Sequence, residues 1–111
     1  MAYKVDVTSY FKKQAKRLIK KYPSLKSEIG TLITLLEQIP VQGTPIGNNC
    51  FKIRLAISSK GKGKSGGARI ISYVHFKGER VFLLTIYDKS EQSDMDDGDI
   101  LSLVEQLDIV D

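Results

Sequence analysis

A chain of 111 residues has material for one ordinary domain, and 41% hydrophobic with 27% charged residues is a globular balance that argues against disorder. The formal net charge of +4 conceals a segregation: residues 1–87 hold 16 Lys and Arg against four Asp and Glu, whereas residues 88–111 hold one lysine against nine acids. No apolar run approaches the roughly 20 residues of a membrane-spanning helix, and the N-terminus lacks an apolar signal core, so a cytoplasmic protein with no membrane partner is expected.

Cys50 has no second cysteine to pair with, and one cysteine plus one histidine cannot assemble a zinc site, so no metal is expected. Cys50 leads into an apolar alternation and reads as a small half-buried side chain rather than a nucleophile. A basic body with an acidic C-terminal segment suggests a polyanionic partner for the body and a tail that shields or orients that surface. The plainer reading is a soluble protein whose charges happen to segregate.

Tyr3 to Val7 alternates with period two, as a short half-buried strand does. Thr8 or Ser9 offers an N-cap oxygen to a helix that runs to about Tyr22, where Pro23 stops it. Phe11, Ala15, Leu18, Ile19 and Tyr22 fall on one side of that helix, and lysines and an arginine fill the rest as a solvated face or a phosphate contact. Ser24 can cap a second helix whose apolar residues, Leu25, Ile29, Leu32, Ile33, Leu36 and Ile39, recur at spacings of three and four until Pro40. The two helices read as an antiparallel pair covering a sheet, and Gly43, Pro45 and Gly47 as a loop.

From Phe51 the period changes to two. Phe51, Ile53, Leu55 and Ile57 face the helices, so Lys52 and Arg54 project together from the opposite face, about 7 Å apart at a rise of roughly 3.4 Å per residue. The runs Ala68 to Phe76 and Arg80 to Tyr87 are too apolar for strands with a bare face and read as central strands joined by a Lys77-Gly78-Glu79 turn. Arg69 is expected at the rim near Lys52 and Arg54. Asp94 to Asp99 then caps a last helix with Ile100, Leu103, Val104 and Leu107 as its stripe. The predicted order is β-α-α-β-β-β-α, an α+β fold with an antiparallel sheet of about four strands.

The stretch from Lys60 to Arg69 is rich in glycine and lysine, and such a loop can follow a phosphate backbone with its amides and ammonium groups. Lys60, Lys62 and Lys64 are its candidate RNA contacts. Gly63-Lys64-Ser65 resembles part of a nucleotide-binding P-loop, but Ser58 stands where the first glycine is needed and a strand follows, so no nucleotide cofactor is expected. RNA can be cut by its own 2′-OH if a base removes the proton, cations stabilise the phosphorane charge, and an acid protonates the leaving 5′ oxygen. Lys52, Arg54, Arg69, Tyr87 and Lys89 supply every role except the usual histidine pair, and no metal or cofactor is expected. His75 follows Tyr73 by two residues and reads as structural in preference to a general base.

The ordered set Lys20-Lys21-Tyr22-Pro23-Ser24-Leu25, Phe51 to Leu55, Gly63 to Ile71 and Leu83 to Glu91 resembles the RelE/ParE toxins of bacterial toxin–antitoxin modules, particularly the HigB-like branch. The resemblance covers nearly the whole chain. It implies a microbial-ribonuclease-like α+β fold in a single domain over residues 1–111, and mRNA cleavage on the ribosome by metal-free 2′-OH attack. It also implies a small cognate antitoxin as partner. By position, Lys52 and Arg54 match the family's catalytic basic strand, Arg69 its phosphate-binding arginine, and Lys89 a leaving-group acid or phosphate contact.

Two departures stand out. Arg54 replaces a lysine and is a poor proton acceptor, which moves the base role toward Lys52, Glu91 or a substrate-bound water. Met95 stands where the family carries a tyrosine. Tyr73 and Tyr87 are the aromatic candidates for RNA contact, with Tyr87 reading equally as a stacking ring or as core. The competing functions are a ParE-like inhibitor of DNA gyrase and a non-catalytic RNA-binding domain of the same fold.

Overall fold

The structure is a computed structural model that describes residues 2–61, 66–107 and 109. Its elements are β1 (Lys4–Val7), α1 (Ser9–Lys21), α2 (Leu25–Gln38), β2 (Thr44–Gly47), β3 (Cys50–Leu55), a 3-10 turn (Ser58–Lys60), β4 (Ala68–His75), β5 (Arg80–Asp88) and α3 (Asp97–Glu105). The strands form one sheet in the order β1-β5-β4-β3-β2. All neighbours are antiparallel except β1, which runs parallel to β5.

The α+β class holds, with β4 and β5 inside the sheet as their apolar content demands. Two details differ from the sequence expectation. The segment read as a loop at Gly43 to Gly47 contains a fifth strand, β2, and β1 makes the sheet mixed. The hairpin from β2 to β3 turns through Asn48 and Asn49, both at positive φ (53° and 60°), with Gly47 and Cys50 paired across it. A two-residue hairpin turn of that hand needs positive φ at both central residues, and asparagine tolerates it best after glycine. Pro45 is accepted because β2 lies at the sheet edge, where a missing N–H costs no ladder bond.

Thr8 caps α1 as expected: its Oγ1 accepts the Phe11 amide at 3.2 Å. Phe11, Ala15 and Leu18 of α1 and Leu25, Ile29, Leu32 and Leu36 of α2 are buried on the sheet. Ser24 does not cap α2 with its side chain. Its hydroxyl donates instead to Glu28 (3.1 Å) and accepts the Ser59 amide (2.9 Å), while Glu28 accepts the Ser58 amide at 2.8 Å and its hydroxyl at 2.7 Å. The first turn of α2 is thereby tied to the turn that follows β3.

In the turn between β4 and β5 the positive φ (53°) falls on Glu79 and not on Gly78. Gly78 lies close against the His75 ring: a Cβ there would come 2.6 Å from Nδ1, so the ring would have to shift.

The sheet buries two apolar layers. One, beneath α1 and α2, takes Phe51, Ile53, Ile70, Val74, Val81, Leu83 and Ile86. The other, partly beneath α3, takes Cys50, Ile71, Phe82, Leu84 and Tyr87, with Ile100 from the helix. Strict alternation along β5 would put Leu83 and Tyr87 on the same face. They lie on opposite faces because the β4–β5 register jumps: Ile71 pairs Thr85 but Ser72 pairs Leu83, leaving Leu84 as an extra residue. This β-bulge inverts the facing of the rest of β5. Thr8 attends it from outside, its hydroxyl donating to the carbonyls of Leu83 (2.9 Å) and Leu84 (3.3 Å).

Gly30 stands in the interior of α2 with nothing within 4 Å of the place a Cβ would occupy. A helix-interior glycine costs about 1 kcal/mol relative to alanine. Gly30→Ala is therefore expected to stabilise the chain by about 1 kcal/mol in urea denaturation. A destabilised Gly30→Ala would mean that the fold itself needs the glycine.

Candidate functional site

Arg54, Arg69 and Tyr87 are direct cross-strand neighbours on β3, β4 and β5, on the sheet face turned away from α1 and α2. Lys52, Ile71 and Thr85 form the next row. Directly opposed side chains have Cβ atoms about 5 Å apart, so two guanidiniums, a phenol and an ammonium share a small patch. The bulge is what brings Tyr87 to it.

The members differ in access. Arg54 is exposed and, among the described residues, forms no ion pair. Arg69 does not emerge at the rim as expected. It is 4% exposed, with one guanidinium nitrogen donating to the Ala68 carbonyl at 3.1 Å. Flanked by Arg54 and Tyr87 on its neighbouring strands, it lies within the sheet face and not at its edge.

Lys52 is half-buried, and its Nζ donates to Asp94 Oδ1 at 2.7 Å. The same oxygen accepts the Met95 amide at 2.9 Å and, more loosely, the Tyr87 hydroxyl at 3.4 Å. Hydrogen bonding from Lys52, then from the Met95 amide, holds the Asp94 carboxyl below its ordinary pKa. Burial pushes the Tyr87 phenol up, and the Asp94 charge and hydrogen bond add to that, against a smaller opposing effect of Arg69. The phenol keeps its proton at neutral pH.

The sequence places Asp94 in the cap of the last helix. The helix instead starts at Asp97 with Asp96 at the cap position, and Asp94 serves the sheet face. Met95 packs over the layer that contains Tyr87 and Ile71.

The remaining candidates divide. Lys89 follows Tyr87 by two residues and its Nζ donates to the Ser93 carbonyl at 3.0 Å, so it flanks the patch. Glu91 is directed elsewhere: its carboxylate meets Arg17 at 3.3 Å and Lys21 at 3.8 Å, both on α1, which leaves no base on the Lys52–Arg54 face from that residue. Tyr73 shares the face but sits four residues along β4 from Arg69, about 13 Å at the usual strand rise, half-buried with its ring 6.2 Å from that of Phe82. His75 lies further along the same strand, opposite Arg80. Lys62 and Lys64 lie outside the described residues.

Lys60 does not project from the loop into solvent. Its side chain is 9% exposed and its Nζ donates to the fully buried Asp88 (2.5 Å) and to Ser90 (2.8 Å). Tyr22 also donates to Asp88, at 2.9 Å, and the Ser90 amide and hydroxyl complete its shell at 2.9 and 2.8 Å. Asp88 reaches this side of the sheet through the same bulge. Burial alone would raise the Asp88 carboxyl, but the bonds from Lys60, Ser90 and Tyr22 overcome it and hold the group well below the usual carboxylate range. Asp88 ends the run Val81 to Tyr87, in which Thr85 is the one polar residue, and a lone acid closing such a strand is the sequence signal of a buried ion pair.

Cys50 is buried and its thiol is pushed up to about 11 by burial, which leaves it unreactive. Among the described residues no three His, Cys, Asp or Glu side chains converge as metal ligands, and no helix is long and apolar enough to cross a membrane.

A scan against known protein-family models finds no match. Solved structures do match, and they define the fold as that of the RelE toxins. A mutant Escherichia coli RelE in the free state superposes with a TM-score of 0.60 at 17% identity, over 84% of this chain and 90% of that one. The RelBE2 toxin–antitoxin complex of Mycobacterium tuberculosis gives 0.61 at 16%, over 79% and 99%. Isolated Escherichia coli RelE gives 0.54 at 19%, over 96% and 100%.

Two outcomes follow. Because folded Asp88 titrates below its unfolded value, its contribution is fully present above the ordinary carboxylate range near ~4 and is lost as pH falls through the folded value. Lys60→Met strands a buried carboxylate and is expected to cost about 3–5 kcal/mol at neutral pH, with the gap to wild type narrowing in acid. A gap independent of pH in denaturant titrations would contradict the pairing. Separately, Asp94→Asn is expected to change stability by no more than about 1 kcal/mol and to tighten binding of single-stranded RNA several-fold at low salt, less so at high salt. Unchanged affinity would remove Lys52 from the RNA surface.

Proposed function

We propose that this chain is a RelE-family toxin of a type II toxin–antitoxin module, a single cytoplasmic domain that cuts mRNA on the ribosome and is neutralised by a small antitoxin protein. The observation that carries the reading is the Arg54–Arg69–Tyr87 row with Lys52 beside it, on one face of a RelE-type sheet. The Mycobacterium tuberculosis relative, crystallised as a toxin–antitoxin complex, supports the partner.

In this reading the scissile phosphate takes the place Asp94 now holds against Lys52. The 2′-OH proton passes to a substrate-bound water, since Arg54 cannot accept it, Glu91 is bound to α1 and the Lys52 ammonium holds the phosphate. Arg54 receives a phosphate oxygen directly. Arg69, fixed within the face, adds positive potential where the phosphorane charge develops. The Tyr87 phenol and Lys89 are the donors at hand for the leaving 5′ oxygen. This set works through ammonium, guanidinium and phenol groups and requires no metal.

The test is to induce the protein in cells and map mRNA ends on translated and untranslated messages. Codon-positioned cuts confined to translated messages are expected. DNA damage with intact mRNA would instead favour gyrase inhibition. Arg54→Ala, at an exposed position, should leave the melting temperature unchanged and lower the cleavage rate about 10²-fold or more. Full cleavage by a folded Arg54→Ala would overturn the site.

A further inference from the structure

The cationic face continues past Lys52 and Arg54 to the edge of the sheet. Thr44 of β2 pairs directly with Lys52, so its side chain stands on the same outer face. Where β2 begins, a pocket of about 340 Å³ opens, lined by Gln42, Gly43, Thr44, Lys52, Ile53 and Arg54. Gly43 takes a positive φ of 84°, and a Cβ on it would collide with the backbone carbonyl of Lys52. Both constraints require glycine, and they let this wall of the pocket close against β3.

Two groups in the pocket can read a base. The Gln42 amide nitrogen donates to the Ile39 carbonyl at 3.0 Å, which orients the side chain and leaves its own carbonyl oxygen as an acceptor. Thr44 is exposed, and among the described residues its hydroxyl has no hydrogen-bond partner. An acceptor beside a hydroxyl matches adenine and cytosine, each of which presents an amino group next to a bare ring nitrogen on its pairing edge. Guanine and uracil carry a carbonyl in place of that amine, and it would face the Gln42 oxygen. The volume is at the lower end for ligand pockets, the scale of a single nucleoside.

The leaving-group donors set the direction of the strand. Tyr87 lies on β5, with Lys89 just beyond it, and the pocket lies at β2, three strand spacings or about 14 Å away. The nucleoside that departs on its 5′ oxygen is therefore the one at Tyr87, and the nucleoside that carries the attacking 2′-OH is the one at the pocket.

We propose that the pocket at the β2–β3 edge holds the base on the 5′ side of the cut and selects adenine or cytosine there, with Gln42 and Thr44 as the specificity-determining residues. This rests on the ribonuclease reading. Arg54 lines the pocket and also meets the phosphate, so a base seated against Gln42 aligns the strand on the cations.

The probes are ApG, CpG, GpG and UpG, each methylated at the first 2′ oxygen so that it cannot be cut, titrated against the full chain by nuclear magnetic resonance. ApG and CpG are expected to move the Gly43 and Thr44 amides and to bind about tenfold tighter than GpG and UpG. Gln42→Leu should bring the four to within about twofold of one another, and Thr44→Val should weaken ApG and CpG about fivefold, both variants staying folded by circular dichroism. In cells, the upstream fragments of cut messages should end in adenosine or cytidine, and Gln42→Leu should remove that bias.

Equal affinities for the four probes with shifts at Arg54 and Tyr87, or a preference that survives in folded Gln42→Leu, would overturn the subsite and leave the ribonuclease reading standing. Saturable binding of none of the four would overturn both. Adenosine 5′-monophosphate bound as tightly as ApG would assign the pocket to a free nucleotide and likewise overturn the proposal.

Discussion

The β4–β5 ladder takes in one extra residue at Leu84, and the facing of everything after it follows from that. A sheet residue has only two directions available, so an insertion of one exchanges them for the remainder of the strand. Tyr87 comes out beside Arg54 and Arg69, and Asp88 turns to the helix side, where Tyr22 and Lys60 bind it. Without the bulge the phenol would sit under α1 and a carboxylate would lie among the guanidiniums, cancelling their charge. Thr8, capping α1 with the same hydroxyl that binds the bulge carbonyls, couples this defect to the helical layer.

The placement of charge follows the same logic. A basic cluster on a folded surface repels itself, and this chain offsets the repulsion with carboxylates drawn from its acidic C-terminal quarter. Asp94 meets Lys52, Glu91 meets Arg17 and Lys21, and Asp88 meets Lys60. These contacts differ in permanence. The Asp88 pair is enclosed and belongs to the fold. The Asp94 side chain is 63% exposed, so its hold on Lys52 is one that a competing phosphate can replace. Arg54 keeps no such partner among the described residues and stays exposed.

Much of this was legible in the sequence because period and composition report which face is apolar. The β3 alternation placed Lys52 and Arg54 on the outer face, the apolar content of β4 and β5 put them inside the sheet, and the helical stripes of α1 and α2 put both helices on one layer. What escaped depends on single residues or on pairs distant in sequence. The Asn48-Asn49 turn that creates β2 is masked in the sequence by the neighbouring glycines and Pro45, which read equally as a loop. A bulge leaves only consecutive apolar residues, Leu83-Leu84, which a strand buried on both faces also shows. The fates of Lys60, Glu91 and Asp94 are set by partners 28, 74 and 42 residues away, a separation that no local pattern encodes.

Under the proposed function RNA meets the sheet at the Arg54–Arg69–Tyr87 row and not at the lysines of α1, and a titration by nuclear magnetic resonance separates the two. With a single-stranded oligonucleotide methylated at its 2′ oxygens, which cannot be cut, the account expects shifts concentrated at Lys52, Arg54, Arg69 and Tyr87, with Asp94 released from Lys52. Shifts confined to Lys12, Lys16 and Lys20 would contradict it.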